Sequence, residues 1–173
     1  ESARLDSSGR LLVGTSTARS PQGITPNLQI EGTNVHTSSI SLTRNSADTG
    51  SPVLIFNKSR GAAVGSDVIV QNNDVLGVVS FAANDGTDSD SLAGRIVGEV
   101  DGTPGANDMP GRLVFQTTAD GAATPTTRMT IKSDGKIGIG TTTPDFPLET
   151  VFTNANNSSF STSLAMGSAA NAD

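Results

Sequence analysis

The chain has 173 residues, 11 Lys and Arg against 17 Asp and Glu for a net charge of −6, and no Cys, Trp or Tyr. That acidic balance argues against a nucleic-acid partner, which needs a basic face to displace counterions from phosphates, and the missing cysteines remove disulfides and thiolate metal sites. Leu, Ile, Val and Phe number 39, about 23% of the residues, little above the level at which disorder becomes the default reading.

The first predicted element is a tight hairpin. Leu5-Asp-Ser-Ser-Gly-Arg-Leu-Leu-Val-Gly-Thr-Ser-Thr17 leads an apolar residue into a Ser-Gly turn, leaves it on a basic residue and resumes alternation before a Gly-Thr exit. Ser39–Arg44 alternates with period two, and Pro52–Lys58 is a continuous apolar and β-branched run; both read as strands. Asp67–Val70, Val75–Phe81, Gly94–Val100 and Arg112–Thr117 follow as further strands. Asn/Asp/Gly clusters such as Asn84-Asp-Gly86 and Asp101-Gly102 close them. Turns this dense leave no room for long helices; a single helical turn is as plausible as a loop at Gly61–Ser66 and Ser89–Ala93. No apolar run approaches the roughly 20 residues that span a bilayer, so no membrane insertion is expected.

The opening hairpin then returns. Ile131-Lys-Ser-Asp-Gly-Lys-Ile-Gly-Ile-Gly-Thr-Thr-Thr143 lies 126 residues after Leu5–Thr17, with 5 of 13 positions identical and most others exchanged like for like. Fainter matches continue from Leu28 against Leu148, Thr33 against Thr153 and Asn34 against Asn154, now at an offset of 120, so the second linker is 6 residues shorter. A period of this size suits a domain-sized module in a longer polypeptide. Residues 1–27 are read as the closing hairpin of a preceding repeat plus linker, 28–147 as one full β-rich repeat, and 148–173 as the start of the next. The start at Glu1 rather than Met reads as processing or truncation.

Such a module can hardly offset chain entropy of about 1 to 2 kcal/mol per residue alone. Glycines inside the predicted strands (Gly77, Gly94 and Gly98) often mark close approach of another backbone. An intertwined homotrimer would supply the missing core and cover the strand edges; the alternative is a loosely packed monomeric sandwich with bulges. The expected fold class is therefore all-β: an elongated, repeat-containing fibre segment of short strands and hairpins.

Val100–Pro144 resembles the repeat of tail fibres of tailed bacteriophages, especially those of marine and cyanobacterial hosts. The likeness covers roughly Val53–Pro144. Its most specific parts are Gly111-Arg-Leu-Val-Phe-x-Thr-Thr-Ala-Asp-Gly121 and Arg128-Met-x-Ile-x-x-x-Gly-x-Ile-Gly-Ile-Gly140 followed by Thr-Thr-x-Pro144. The resemblance implies a homotrimeric, β-rich structural segment on an extracellular virion, partnered by other tail or fibre proteins and by a host cell-surface glycan or protein receptor. In such fibres a C-terminal autoproteolytic chaperone often follows the repeat; Ser163–Asp173 is too short to be one. A shaft or spacer role is expected, with a receptor-binding module or a non-viral extracellular β filament as alternatives.

No catalytic, cofactor or metal residues are assigned, and no enzyme is expected. His36, the only histidine, lies in a polar stretch and has Asn156 as its counterpart in the repeat. Asp85, Asp88 and Asp90 are close enough to attract a hard cation but lack the EF-hand ligand order, and a solvated turn is the simpler reading. Gly135–Gly140 resembles a phosphate loop only superficially, because Thr141-Thr-Thr-Pro144 does not begin a helix. A carboxylate pair such as Asp88 with Glu99 suits glycan hydrolysis in principle, but the chain has 6 Phe and no Trp or Tyr to line a sugar groove.

Overall fold

The computed structural model describes residues 2–153 and 159–163. Among them the strands are β1 (Ala3–Leu5), β2 (Leu11–Val13), β3 (Leu28–Ile30), β4 (Val75–Ala83), β5 (Ser91–Val100), β6 (Gly111–Thr117), β7 (Thr126–Ile131), β8 (Ile137–Ile139), β9 (Leu148–Thr153) and β10 (Ser159–Ser163). They form a three-stranded sheet in the order β1-β2-β3 and a seven-stranded sheet in the order β10-β9-β8-β7-β6-β5-β4. The one helical element described is a 3-10 turn at Pro21–Gly23. No helix among the described residues is long and apolar enough to cross a membrane.

The chain divides into two compact units, one of Glu1–Ile55 with Ala82–Ser91 and one of Phe56–Phe81 with Leu92–Asp173. Each contains one copy of the same three-stranded motif. In the first, β1 pairs antiparallel with β2, setting Leu5 opposite Leu11, and β2 pairs parallel with β3, setting Leu11 opposite Leu28. In the second, β7 and β8 set Ile131 opposite Ile137, and β8 and β9 set Ile137 opposite Leu148. The registers agree position for position, at the offset of 126 residues for the hairpins and of 120 for the third strand.

Local chemistry repeats with the register. Gly9 and Gly135 sit at φ of 77° and 83° and close the turns by donating from their amides to Asp6 and Lys132 carbonyls. A type I turn followed by a left-handed residue gives the G1-bulge hairpin, which glycine adopts at no steric cost. Gly14 and Gly140, at φ of 76° and 75°, end the hairpins and donate to the Ser2 and Arg128 carbonyls. A Cβ added there would overlap the carbonyl oxygen of Glu31, just past β3, or of Val151 in β9.

The larger sheet grows from this motif by antiparallel addition of β6 and β5, with a register shift between Phe115 and Gln116 that leaves Arg128 without a paired residue. The buried apolar residues among the described ones are few: Leu12, Val70, Val97, Val100 and Val114. The Gln71–Asp74 turn is tied to the end of β5, because Asn73 donates to the Val100 carbonyl and Val100 to that of Asp74.

Several expected strands are absent. Ser39–Arg44, Pro52–Lys58 and Asp67–Val70 have strand composition but no ladder partner among the described residues. Ile40, Leu42, Val53, Leu54, Ile55 and Phe56 are all exposed. Residue type favours a pleated, half-buried environment, yet a strand exists only where a second backbone supplies the hydrogen bonds. Gly61–Ser66 is a turn closed by Ser66 on the Ala63 carbonyl, and Ser91–Ala93 already belongs to β5. Asn154, Asn156, Ser158 and the 164–173 tail lie outside the described residues.

Candidate functional site

The two faces of the seven-stranded sheet differ in chemistry. Cross-strand pairing places Gly98, Leu113, Ile131, Ile137 and Leu148 in one row, and Ile96, Phe115, Met129 and Ile139 in the next, on the same face. These rows are incompletely covered: Leu113 is 46% and Ile139 38% exposed. The three-stranded motif of the first unit carries the same rows, Leu5-Leu11-Leu28 and Ala3-Val13-Ile30, and there Leu5 is 71% exposed. Exposed apolar rows on a sheet are where another molecule gains most from docking.

The glycines expected in strand interiors are occupied differently. At Gly77 an added Cβ would stand 2.6 Å from Cβ of Phe56, and at Gly94 2.8 Å from the Gln116 carbonyl oxygen, so this chain itself fills both places. At Gly98 it would meet nothing within 4 Å.

The opposite face carries the buried Val97 and Val114 and, beside them, a polar cluster that is internally neutralised. Glu99 and Arg112 are cross-strand neighbours, and the Arg112 guanidinium donates to Glu99 at 2.7 Å, to Asp101 at 3.1 Å and to Asn73 Oδ1 at 2.9 Å. Lys132 also binds Asp101, whose second oxygen accepts the Ser133 amide at 2.9 Å. Burial pushes the Asp101 carboxyl up, but the hydrogen bonds from Lys132, Ser133 and Arg112 outweigh it and hold the group well below the usual carboxylate range. Glu99, Arg112 and Lys132 edge a polar cleft of about 320 Å³ whose floor includes Thr130, a buried hydroxyl with no hydrogen-bond partner of its own. Sequence reading missed this cluster. Its members are turn and strand-end residues, and Asp101 stands 31 positions from Lys132, so only the register reveals it.

A second carboxylate clamp fixes the chain before β4. Arg60 donates to both oxygens of Asp74 at 2.7 and 2.8 Å, and the Gln71 amide adds 2.9 Å, so Asp74 is held well below the usual carboxylate range. Bidentate pairing of this kind is geometrically specific.

The candidate residues of the acidic loop serve their own backbone. Asp85 Oδ1 accepts the amides of Thr87 at 2.8 Å and Asp88 at 3.2 Å, and Oδ2 accepts the Ser91 hydroxyl at 3.1 Å. The loop amides hold its carboxyl below its usual value. Asp88 accepts the Asp90 amide, and Asp90 accepts that of Gln22. No cluster of three His, Cys, Asp or Glu able to hold a metal is found among the described residues. His36 is exposed, with its amide donated to Asn34 Oδ1. Gly135–Gly140 is turn, strand β8 and hairpin end. Asp88 and Glu99 fall in different units, and Glu99 is engaged by Arg112.

The architecture among the described residues is nearly all β, in short strands. The chain is similar to the solved structure of the carboxy-terminal domain of the bacteriophage T5 L-shaped tail fibre, with a TM-score of 0.60 and 16% identity, over 83% of this chain and 60% of that one. At that identity the likeness is one of fold. No family model and no curated protein matches the chain.

Proposed function

We propose that this chain is a structural segment of a bacteriophage tail fibre, a shaft or spacer module of the virion that works as a homotrimer. One observation carries the reading: the three-stranded motif recurs at one register and presents an incompletely covered apolar row each time. Repetition of a module with an unfinished core is how a protein extends along an axis while neighbours complete its burial. The tail-fibre fold and the sequence resemblance to marine and cyanobacterial phage repeats support the same reading. In it, residues 28–147 form one repeat between parts of two others, other tail proteins are partners, and the role is not enzymatic.

Sedimentation or mass photometry tests it. A species of three times the 17.5 kDa chain mass is expected, and a stable folded monomer overturns the reading. A second reading, host-surface binding, has one observation in its favour. The polar loop Asn84–Asp88 is exposed while its carboxylates brace it from within. Retention of host cells by the folded protein would favour it; no retention would leave the shaft.

A further inference from the structure

We infer that the two-row apolar face of the larger sheet is the surface on which a second copy of this chain docks, a side chain of that copy filling the hollow above Gly98; this rests on the self-association reading.

The hollow measures about 250 Å³ and is walled by Phe56, Gly77, Ile96 and Leu113. Gly98 forms its floor without needing to be glycine for its own chain. Its φ is not in the left-handed region, and a side chain there would touch nothing within 4 Å. A mid-strand glycine gives up backbone entropy and packing, so the open volume above it is room for atoms from outside the chain.

The occupant is another copy for three reasons. First, each unit, taken by itself, presents the same rows at the same register. A partner that fits the rows of one unit fits those of the other, and a second copy brings such rows with it. Second, the two rows themselves carry no charge: Glu99, Arg112 and Lys132 stand on the opposite face, and Arg128, which donates to Thr117 Oγ1, lies past the row of Phe115 and Met129. A chain of net charge −6 therefore meets no like charge when it docks on itself there. Third, the chain carries matching apolar side chains without a place of their own: Val53, Leu54 and Ile55 are exposed and unpaired.

Two sets of variants test the face. The chain has no cysteine, so Leu113→Cys, Ile139→Cys and the fully exposed Val64→Cys report accessibility one position at a time. In the assembled protein, maleimide labelling at positions 113 and 139 is expected to be about tenfold slower than at position 64, because reaction follows access. The rates should converge when the assembly is dissociated. Gly98→Leu is expected to raise the dissociation constant at least about tenfold while circular dichroism of the chain stays unchanged. Equal labelling rates in an assembled protein, or assembly unaffected by Gly98→Leu, overturn the docking face and leave the fibre reading standing. A wild-type chain that sediments as a monomer overturns the fibre reading itself.

Discussion

Leu12 and Gly138 hold the same place in two copies of one motif and fill it in opposite ways. Each is the middle residue of the central strand, opposite Arg4 and Gln29 in one case and Thr130 and Glu149 in the other. Leu12 is completely buried. At position 138 the chain after the hairpin fills the space, and an added Cβ would overlap the Thr141 carbonyl oxygen. Leu12→Ala is therefore expected to cost about 2–5 kcal/mol, as for other buried leucines. Gly138→Leu, although it copies the other motif, is expected to cost about 1–3 kcal/mol or more from overpacking. Urea unfolding followed by circular dichroism measures both; a neutral Gly138→Leu would show that the Thr141 segment yields.

The paired glycines of the motif should separate conformational strain from crowding. Gly135 and Gly140 share a left-handed φ, but only Gly140 faces the Val151 carbonyl. Gly135→Ala is expected to cost about 1–2 kcal/mol, the penalty of that conformation alone. Gly140→Ala must in addition displace β9, so it should cost clearly more and slow hydrogen exchange at the Gly140 amide should be lost. Equal costs for the two would mean that the third strand is held too loosely to resist.

The hairpin of the motif was legible in the sequence because its signals are local, whereas the parallel third strand was visible only as a faint match of Leu28 with Leu148. Gly9 and Gly135 mark the turns, alternation marks the strands, and the step from 126 to 120 in the offset anticipates a shorter link between Ile139 and Leu148 than between Val13 and Leu28. Strands β4, β5 and β6 were legible for the same reason. Ser39–Arg44 and Pro52–Lys58 were not, because alternation specifies a face but not whether a partner backbone lies in the same chain. The Asp101 cluster was hidden in another way. Asp101-Gly102 reads as an ordinary turn, and nothing local connects it to Arg112 or to Lys132 beyond the next hairpin.

Calcium is expected to leave thermal unfolding unchanged. A cation at Asp85–Asp90 would need carboxylate oxygens that now accept the amides of Thr87, Asp88, Asp90 and Gln22. A ligand that binds only the folded state raises its stability with concentration, so titration of calcium into a melting experiment is decisive. A melting temperature that climbs with calcium would show that the loop rearranges to bind it.

Acid should unfasten the polar face of the larger sheet. The Asp101 side chain is only 7% exposed, and its carboxyl is held below the ordinary 3.8 despite burial by Lys132, Ser133 and Arg112. A group whose folded-state value is depressed stabilises the fold above its unfolded value and loses that contribution as pH falls through the folded one. Stability at neutral pH is thus expected to hold down to about pH 4 and then decline, as Asp101 and the likewise depressed Asp74 take up protons. Asp101→Asn keeps the shape but removes the charge shared by Lys132 and Arg112. It should cost on the order of 1–3 kcal/mol at pH 7 and flatten the decline below pH 4. Urea midpoints at a series of pH values for wild type and variant check both parts. If the variant declined as steeply as the wild type, Asp101 would not be the group that titrates.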